Sequence, residues 1–370
     1  MKRWLKIASL VVVAVALLAV GLSWGATYYY TSQKGQGCAS CHEMAALTGS
    51  VHASMHRTVG CMECHEASMA TKLRHIRVHL FGRIPEAIRL READVLAMEP
   101  RCQSCHQKEY ASWHAGPHAA TYAEIFADPT HNRKRQLMDD CLRCHGMHFG
   151  GPVRELVGPI DTKGPWRILP AGMADRPAMP CQACHQVHRE GAPESRPKGR
   201  ISVAGKPVDD SLAFFDRREQ MHLTAASMRV PRIFDGARAL AMSQDPRQSL
   251  CYQCHAPREP ETGSEAAKNG WGVQAGSGDD RTPMGVHEGI SCAACHFGHN
   301  ESAVASCKTC HPKMSNCGLD VEKMDTTFAN QKSPHNIHWV KCADCHTHGV
   351  PKKKDAQAGA APKRPLAAGD

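Results

Sequence analysis

Residues 292–311 read CAACHFGHNESAVASCKTCH, two Cys-x-x-Cys-His motifs separated by ten residues, with a further His three positions after the first motif. The same five-residue pattern occurs nine times in the 370-residue chain: at Cys38, Cys41 and His42; Cys61, Cys64 and His65; Cys102, Cys105 and His106; Cys141, Cys144 and His145; Cys181, Cys184 and His185; Cys251, Cys254 and His255; Cys292, Cys295 and His296; Cys307, Cys310 and His311; and Cys342, Cys345 and His346. Of 19 cysteines, only Cys317 falls outside it. Disulfides place no demand on the residue after a cysteine. Zinc sites need cysteine pairs to meet in fours and do not require His after every second Cys.

Covalent haem attachment explains both features. Two thiols three positions apart on one helical turn can each bond one porphyrin vinyl group, and the adjoining His then faces the iron. The sequence therefore predicts nine covalently bound haems c, held by those eighteen cysteines, with the nine motif histidines as iron ligands. From Cys38 to His346 there are about 34 residues per motif, and aromatics make up only 5% of the chain, thin material for a conventional core. The expected fold is mainly α with much irregular loop: a multihaem cytochrome c fold built around stacked haems, plus one N-terminal transmembrane helix. The formal charge of +9 needs no nucleic-acid partner. Nine haems bring eighteen propionates against nine ferric charges, which takes the oxidised protein to zero and makes surplus Lys and Arg propionate counter-ions.

The N-terminus begins with Lys2, Arg3 and Lys6, then runs uncharged and mostly apolar over 7–26, about one hydrocarbon thickness as a helix. A cleaved signal peptide has a shorter apolar region and small residues at its cleavage site, where this chain has Trp24 before Ala26. Trp24 and Tyr28 to Tyr30 read as an interfacial aromatic belt, and the basic residues mark the cytoplasmic side. The expectation is a retained single-pass anchor in the cytoplasmic membrane, with the haem domain on the periplasmic side.

Motif spacing suggests sections: an anchor at 1–27, a dihaem section at 28–95, a trihaem section at 96–190, a motif-free connector at 191–250, a tetrahaem section at 251–349 and a disordered basic tail at 350–370. Leu73, Ile76 and Leu80 recur at helical spacing and predict a helix over 72–81. Within the connector the pattern predicts a short strand near 201–203 and helices near 212–228 and 234–242.

Fifteen histidines lie outside the motifs, enough to give every iron a second imidazole and to favour electron-transfer centres over open catalytic ones. The distal candidates are His56, His118, His148, His188, His222, His287, His299, His335 and His338. His148, His188 and His299 each follow a motif His by three residues, too near to cross their own porphyrin plane. Any iron they bind belongs to a neighbouring haem, which would interlock the stack. His75 and His79 share a helix face with Lys72, Arg74 and Arg77 and read as a basic surface facing solvent or lipid headgroups.

The order of parts over residues 1–95 resembles the NapC/NirT/NrfH family of membrane-anchored multihaem quinol dehydrogenases: one N-terminal helix, then Cys38-Ala-Ser-Cys41-His42-Glu-Met44, then His56 and the motif at Cys61. The resemblance implies that Met44 rather than His42 ligates the first iron, and that Lys72 and, more loosely, Asp94 contribute to a quinol site. The chain departs from the family's four or five haems, and its later motifs resemble those of pentahaem and octahaem cytochromes.

The function this implies is electron transfer from membrane quinol to a periplasmic or cell-surface redox protein, as in anaerobic respiration. Self-association of protomers is compatible with the sequence. Two alternatives stand beside this reading. One is a multihaem reductase of a small nitrogen or sulfur oxyanion, although no Cys-x-x-Cys-Lys occurs. The other is a tethered carrier fed by another protein. Cys317 reads as a buried structural thiol.

Overall fold

The computed structural model describes residues 2–31, 37–40, 44–65, 68–82, 92–188, 211–225, 227–228, 230–255, 272–275, 280–296, 299, 303, 306–307, 310–311 and 323–349. The described secondary structure is mostly helical, joined by long irregular connections. It falls into two compact units. One is drawn from Met1–Pro231, Gln244–Ala256 and Cys292–Ala303, the other from Arg232–Ser243, Pro257–Ser291 and Val304–Asp370.

The first unit opens with α1 (Lys2–Thr31). Arg3–Tyr29 is long and apolar enough to cross a membrane, which is compatible with a single-pass anchor. Its large apolar side chains, from Trp4 to Tyr29, are exposed. Short helices follow: α2 (Ala45–Ala53), α3 (Cys61–Cys64) and α4 (Met69–Phe81), the last where the apolar period places it. In α5 (Glu92–Cys105), Glu92 and Asp94 complement the helix N-terminus, and Val95, Leu96 and Glu99 form the buried stripe. Its last turn is the Cys102 motif, and α6 (Gln107–His114) follows directly.

A conventional core fills the stretch that comes next. α7 (Tyr122–Phe126) starts with a capping box in which Thr121 Oγ1 accepts from the Glu124 amide at 3.2 Å and Glu124 Oε2 accepts from the Thr121 amide at 2.8 Å. α8 (Pro129–Asn132) is capped by Asp128, whose carboxylate accepts from the Thr130 amide at 2.8 Å. α9 (Val153–Leu156) runs into strand β1 (Val157–Gly158), antiparallel to β2 (Arg167–Ile168). Tyr122, Phe126, Leu142, Phe149, Leu156 and Trp166 are among the side chains buried together here. The low overall aromatic content hides this local concentration.

Two sequence expectations are corrected. The stretch near 212–228 forms a hairpin, β3 (Ala213–Asp216) against β4 (Met221–Thr224), where a helix was expected. Consecutive burial of Ala213, Phe214 and Phe215 suits a strand covered on both faces, and Gln220 turns the chain at φ 54°. The stretch near 234–242 is β5 (Arg232–Asp235) turning into β6 (Arg238–Ala239), with β7 (Gly272–Gln274) parallel on the other edge of β5. Gly236, at the first of the two loop positions, is the decisive local signal. Gly236, at φ 63°, opens a two-residue loop that such a residue makes without strain. The expected strand near 201–203 and the tail lie outside the described residues.

β3 extends the first unit toward the Cys181 motif, since the Ala213 amide donates to Cys184 O at 2.9 Å and the Gln186 amide to Ser211 O at 2.8 Å. α10 (Gln248–Cys254) carries the Cys251 motif and packs on β3. In the second unit, Met284 and Val286 amides donate to His338 and Val340 carbonyls at 2.7 and 3.0 Å, laying the 284–286 segment beside the approach to the Cys342 motif.

Candidate haem sites

Eight of the nine motifs close the same turn. The motif His amide donates to the carbonyl of the first Cys in each: 2.8 Å for His65, 2.9 Å for His106, 2.9 Å for His145, 3.0 Å for His185, 2.8 Å for His255, 2.9 Å for His296, 2.8 Å for His311 and 2.8 Å for His346. A bond spanning four residues is one helical turn, and it sets both cysteines of a motif on one face of that turn. In the first motif, Cys41 and His42 lie outside the described residues. Cys38 is half-buried, and Met44 is half-buried at the start of α2.

Among the described residues none of the motif cysteines is in a disulfide. Their exposure varies with the motif. In the last three motifs Cys292, Cys295 and Cys307 are half-buried, whereas Cys310, Cys342 and Cys345 are exposed. The last motif thus presents both of its thiols at the surface of the chain, and the sixth and seventh hold theirs against neighbouring elements.

The fold then brings motif imidazoles to histidines far away in sequence. Ring centres are 6.0 Å apart for His56 and His106, 5.9 Å for His65 and His188, 6.2 Å for His118 and His255, and 5.8 Å for His185 and His299. All four pairs lie in the first unit, and each couples one motif His with one from outside the motifs. In the second unit burial above all, and His311 in smaller part, lower the pKa of His287.

Second partners fix the protonation of several rings. His188 Nδ1 lies 3.1 Å from Leu47 O, and His287 Nδ1 lies 3.1 Å from Ile337 O. A carbonyl can only accept, so in both rings Nδ1 carries the proton and Nε2 carries the lone pair, the form that binds metal. Burial lowers the pKa of His65, His118, His188, His287 and His296, which keeps these imidazoles neutral.

Motifs distant in sequence also adjoin through their cysteines. The thiols of Cys102 and Cys181, of Cys144 and Cys254, and of Cys251 and Cys292 are paired by hydrogen bonds. The bond from Cys102, then burial, holds the Cys181 thiol above its ordinary range. The third motif therefore neighbours the fifth, and the sixth neighbours both the fourth and the seventh.

The remaining predicted residues are placed variously. His148 stacks on Phe215 at 4.1 Å, while burial, reinforced by His222, lowers its pKa to about 4. His222 Nε2 lies 2.8 Å from Gln182 O, so in this arrangement that nitrogen carries the proton. His335 Nε2 lies 3.9 Å from Asp325, and His338 Nδ1 lies 3.1 Å from Asn336 Oδ1. Asp94 is half-buried in the first turn of α5, where it counteracts the lowering of the His65 pKa. Lys72 sits in α4, but its side chain is outside the described set, as is all of Cys317. The sequence reading passed over Glu92, whose carboxylate accepts from Tyr122 Oη at 3.5 Å and whose pKa burial raises to about 7. An acid opening a helix is so ordinary a cap that no sequence signal marks it out.

The third and fourth motifs, with α6 to α9 and much of the aromatic core, fall within residues 101–157. That stretch matches the family model for cytochrome c554 and c-prime. The match supports a c-type cytochrome, a haem protein of electron transfer. No curated protein and no solved structure matches the chain.

The donor set fits haem c. Each closed turn offers two thiols and an imidazole, the set that covalent attachment requires. Two imidazoles on opposite sides of one iron, with metal–nitrogen bonds of about 2.0 Å and roughly 1.1 Å from nitrogen to ring centre, would have centres about 6.2 Å apart. The four observed pairs lie close to that separation.

Proposed function

We propose that this chain is a nonahaem c-type cytochrome that carries electrons from the membrane quinol pool to a periplasmic or cell-surface acceptor. The observation that carries the reading is the closed Cys-to-His turn repeated at eight motifs. When bound, haem iron supplies reversible one-electron exchange at each such site. The chain holds each group by two cysteines, supplies neutral imidazoles and buries many of them away from water. Histidine pairs such as His65 and His188 would, with haem bound, supply both remaining ligands of an iron and leave no position for a substrate, which favours electron transfer over oxyanion reduction.

The apolar α1 supports tethering, and Lys2, Arg3 and Lys6 support an N-terminus on the cytoplasmic side, with the haem domain outside. Quinol entry rests on the likeness of residues 1–95 to membrane-anchored quinol dehydrogenases, with Met44 at the first iron and Lys72 and Asp94 near the quinol. Recognition of the acceptor would be weak and electrostatic, as for other redox encounters.

Two measurements test this. Intact mass of the purified protein should show nine covalent haems. A menaquinol analogue should reduce the membrane-reconstituted protein rapidly, as seen in visible absorbance, and Lys72→Ala should slow that reduction. Reduction by dithionite but not by quinol would remove the quinol entry point and leave a tethered carrier fed by another protein.

A further inference from the structure

We propose that the distal iron ligands are interlocked across the sequence: His56 completes the site at Cys102 and Cys105, His188 that at Cys61 and Cys64, His118 that at Cys251 and Cys254, and His299 that at Cys181 and Cys184. This rests on the haem reading above and deepens it by naming which histidine serves which motif.

Four ring separations between 5.8 and 6.2 Å carry the assignment in the first unit. Two neutral imidazoles in van der Waals stacking would sit closer, and two joined by a direct hydrogen bond would leave less room between them. A common spacing of about 6 Å, set by residues from different parts of the chain, is what an iron between two nitrogens requires. The pairing rule is selective as well. Each pair takes one motif His and one other His, and no His appears twice among the four. For His188 the tautomer agrees, because Leu47 O accepts from Nδ1 and leaves Nε2 as the ligating nitrogen.

The assignment has a topological consequence. His56 precedes the second motif and serves the third. His188 follows the fifth and serves the second. His118 follows the third and serves the sixth, while His299 follows the seventh and serves the fifth. No motif in this set is completed by the His nearest to it in sequence, so the second, third, fifth, sixth and seventh sites are assembled together. The cysteine contacts agree, since the third motif adjoins the fifth and the sixth adjoins the seventh.

The test uses the holoprotein and reads spin state. His188→Ala should convert one haem in nine from low to high spin, seen by electron paramagnetic resonance and near-infrared magnetic circular dichroism, and added imidazole should reverse it. Combining His188→Ala with Cys61→Ala and Cys64→Ala removes the haem at that motif. The new high-spin signal should then vanish, with intact mass reporting eight haems. A signal that persists in the triple variant would overturn the pairing, as would a fully low-spin His188→Ala protein. Should His188→Ala not accumulate, His299→Ala with and without Cys181→Ala and Cys184→Ala applies the same criterion. His131→Ala, an exposed residue of α8, should leave every haem low-spin. Absence of covalent haem by mass would refute the haem reading itself, a result separate from failure of the pairing.

Discussion

Replacing Glu92 by Gln should change how stability depends on pH. Glu92 is half-buried at the start of α5, against the fully buried Tyr122, and its pKa stands at about 7 against an ordinary 4.5. Burial is the cause, and the bonds from Tyr122 and the Gly150 amide only partly offset it. Below about pH 4.5 the folded and unfolded chains both hold the proton, and the site costs nothing. Between there and about pH 7 the unfolded chain has released the proton while the folded chain keeps it, so stability falls as pH rises. Above about 7 the penalty is constant. The interval from 4.5 to about 7, at about 1.4 kcal/mol per pH unit, sets a ceiling of about 3.4 kcal/mol, and partial contact with water lowers it to about 2 kcal/mol. Gln carries no such dependence. Guanidinium unfolding followed by far-ultraviolet circular dichroism should show wild type losing about 2 kcal/mol relative to Glu92→Gln between about pH 4.5 and 7.5. Parallel curves for the two proteins, or a wild type that gains on the variant as pH rises, would refute the reasoning.

Asp245 is fully buried and accepts from Arg247 Nε at 2.9 and 3.0 Å, from its Nη2 at 2.6 Å and from its amide at 3.0 Å. Arg247→Met would remove the three guanidinium bonds from that buried carboxylate and should cost about 3 kcal/mol, which adding Asp245→Asn should partly restore in the same unfolding assay. Gly146 has φ 103°, and a Cβ there would lie 2.6 Å from Cε1 of the buried Tyr122, so Gly146→Ala should lower stability by about 2 kcal/mol; an unchanged midpoint would contradict this. Leu156 has no exposed surface, and Leu156→Ala should cost about 3 kcal/mol, while Leu169→Ala, at an exposed position, should stay within about 0.5 kcal/mol.

What the sequence makes legible here follows the range of the physics. Covalent attachment fixes three residues, two Cys and one His, within five positions, so every motif can be read directly, and the closed turn is its local counterpart. The helix Met69–Phe81 is equally local, because Leu73, Ile76 and Leu80 repeat at its period. The hairpin at Gly236 has a local signal in Gly236-Ala237, while the apolar residues around it suggest a helix. Composition misled in another way. A chain-wide 5% of aromatics conceals the clustering of Tyr122, Phe126, Phe149 and Trp166 in one core. The histidine pairs were out of reach for a different reason. Their members lie between 50 and 137 positions apart, and nothing local in either residue names its partner.

That separation bears on how such a chain folds. Imidazoles that burial keeps neutral, as at His65, His118 and His188, have lost water, and a bond to metal at the remaining nitrogen offsets that loss. On the proposed pairing, closing one site draws together two stretches of chain that already carry other motifs. His188 reaches the second motif only if the fifth stands beside it, and His299 reaches the fifth only if the seventh does. Ligation and long-range contact are then the same event, and the entropy of closing loops of more than a hundred residues is met by metal bonds as well as by the aromatic core. A chain with few aromatic residues overall can hold a defined fold on those terms, and its order in space need not follow its order in sequence.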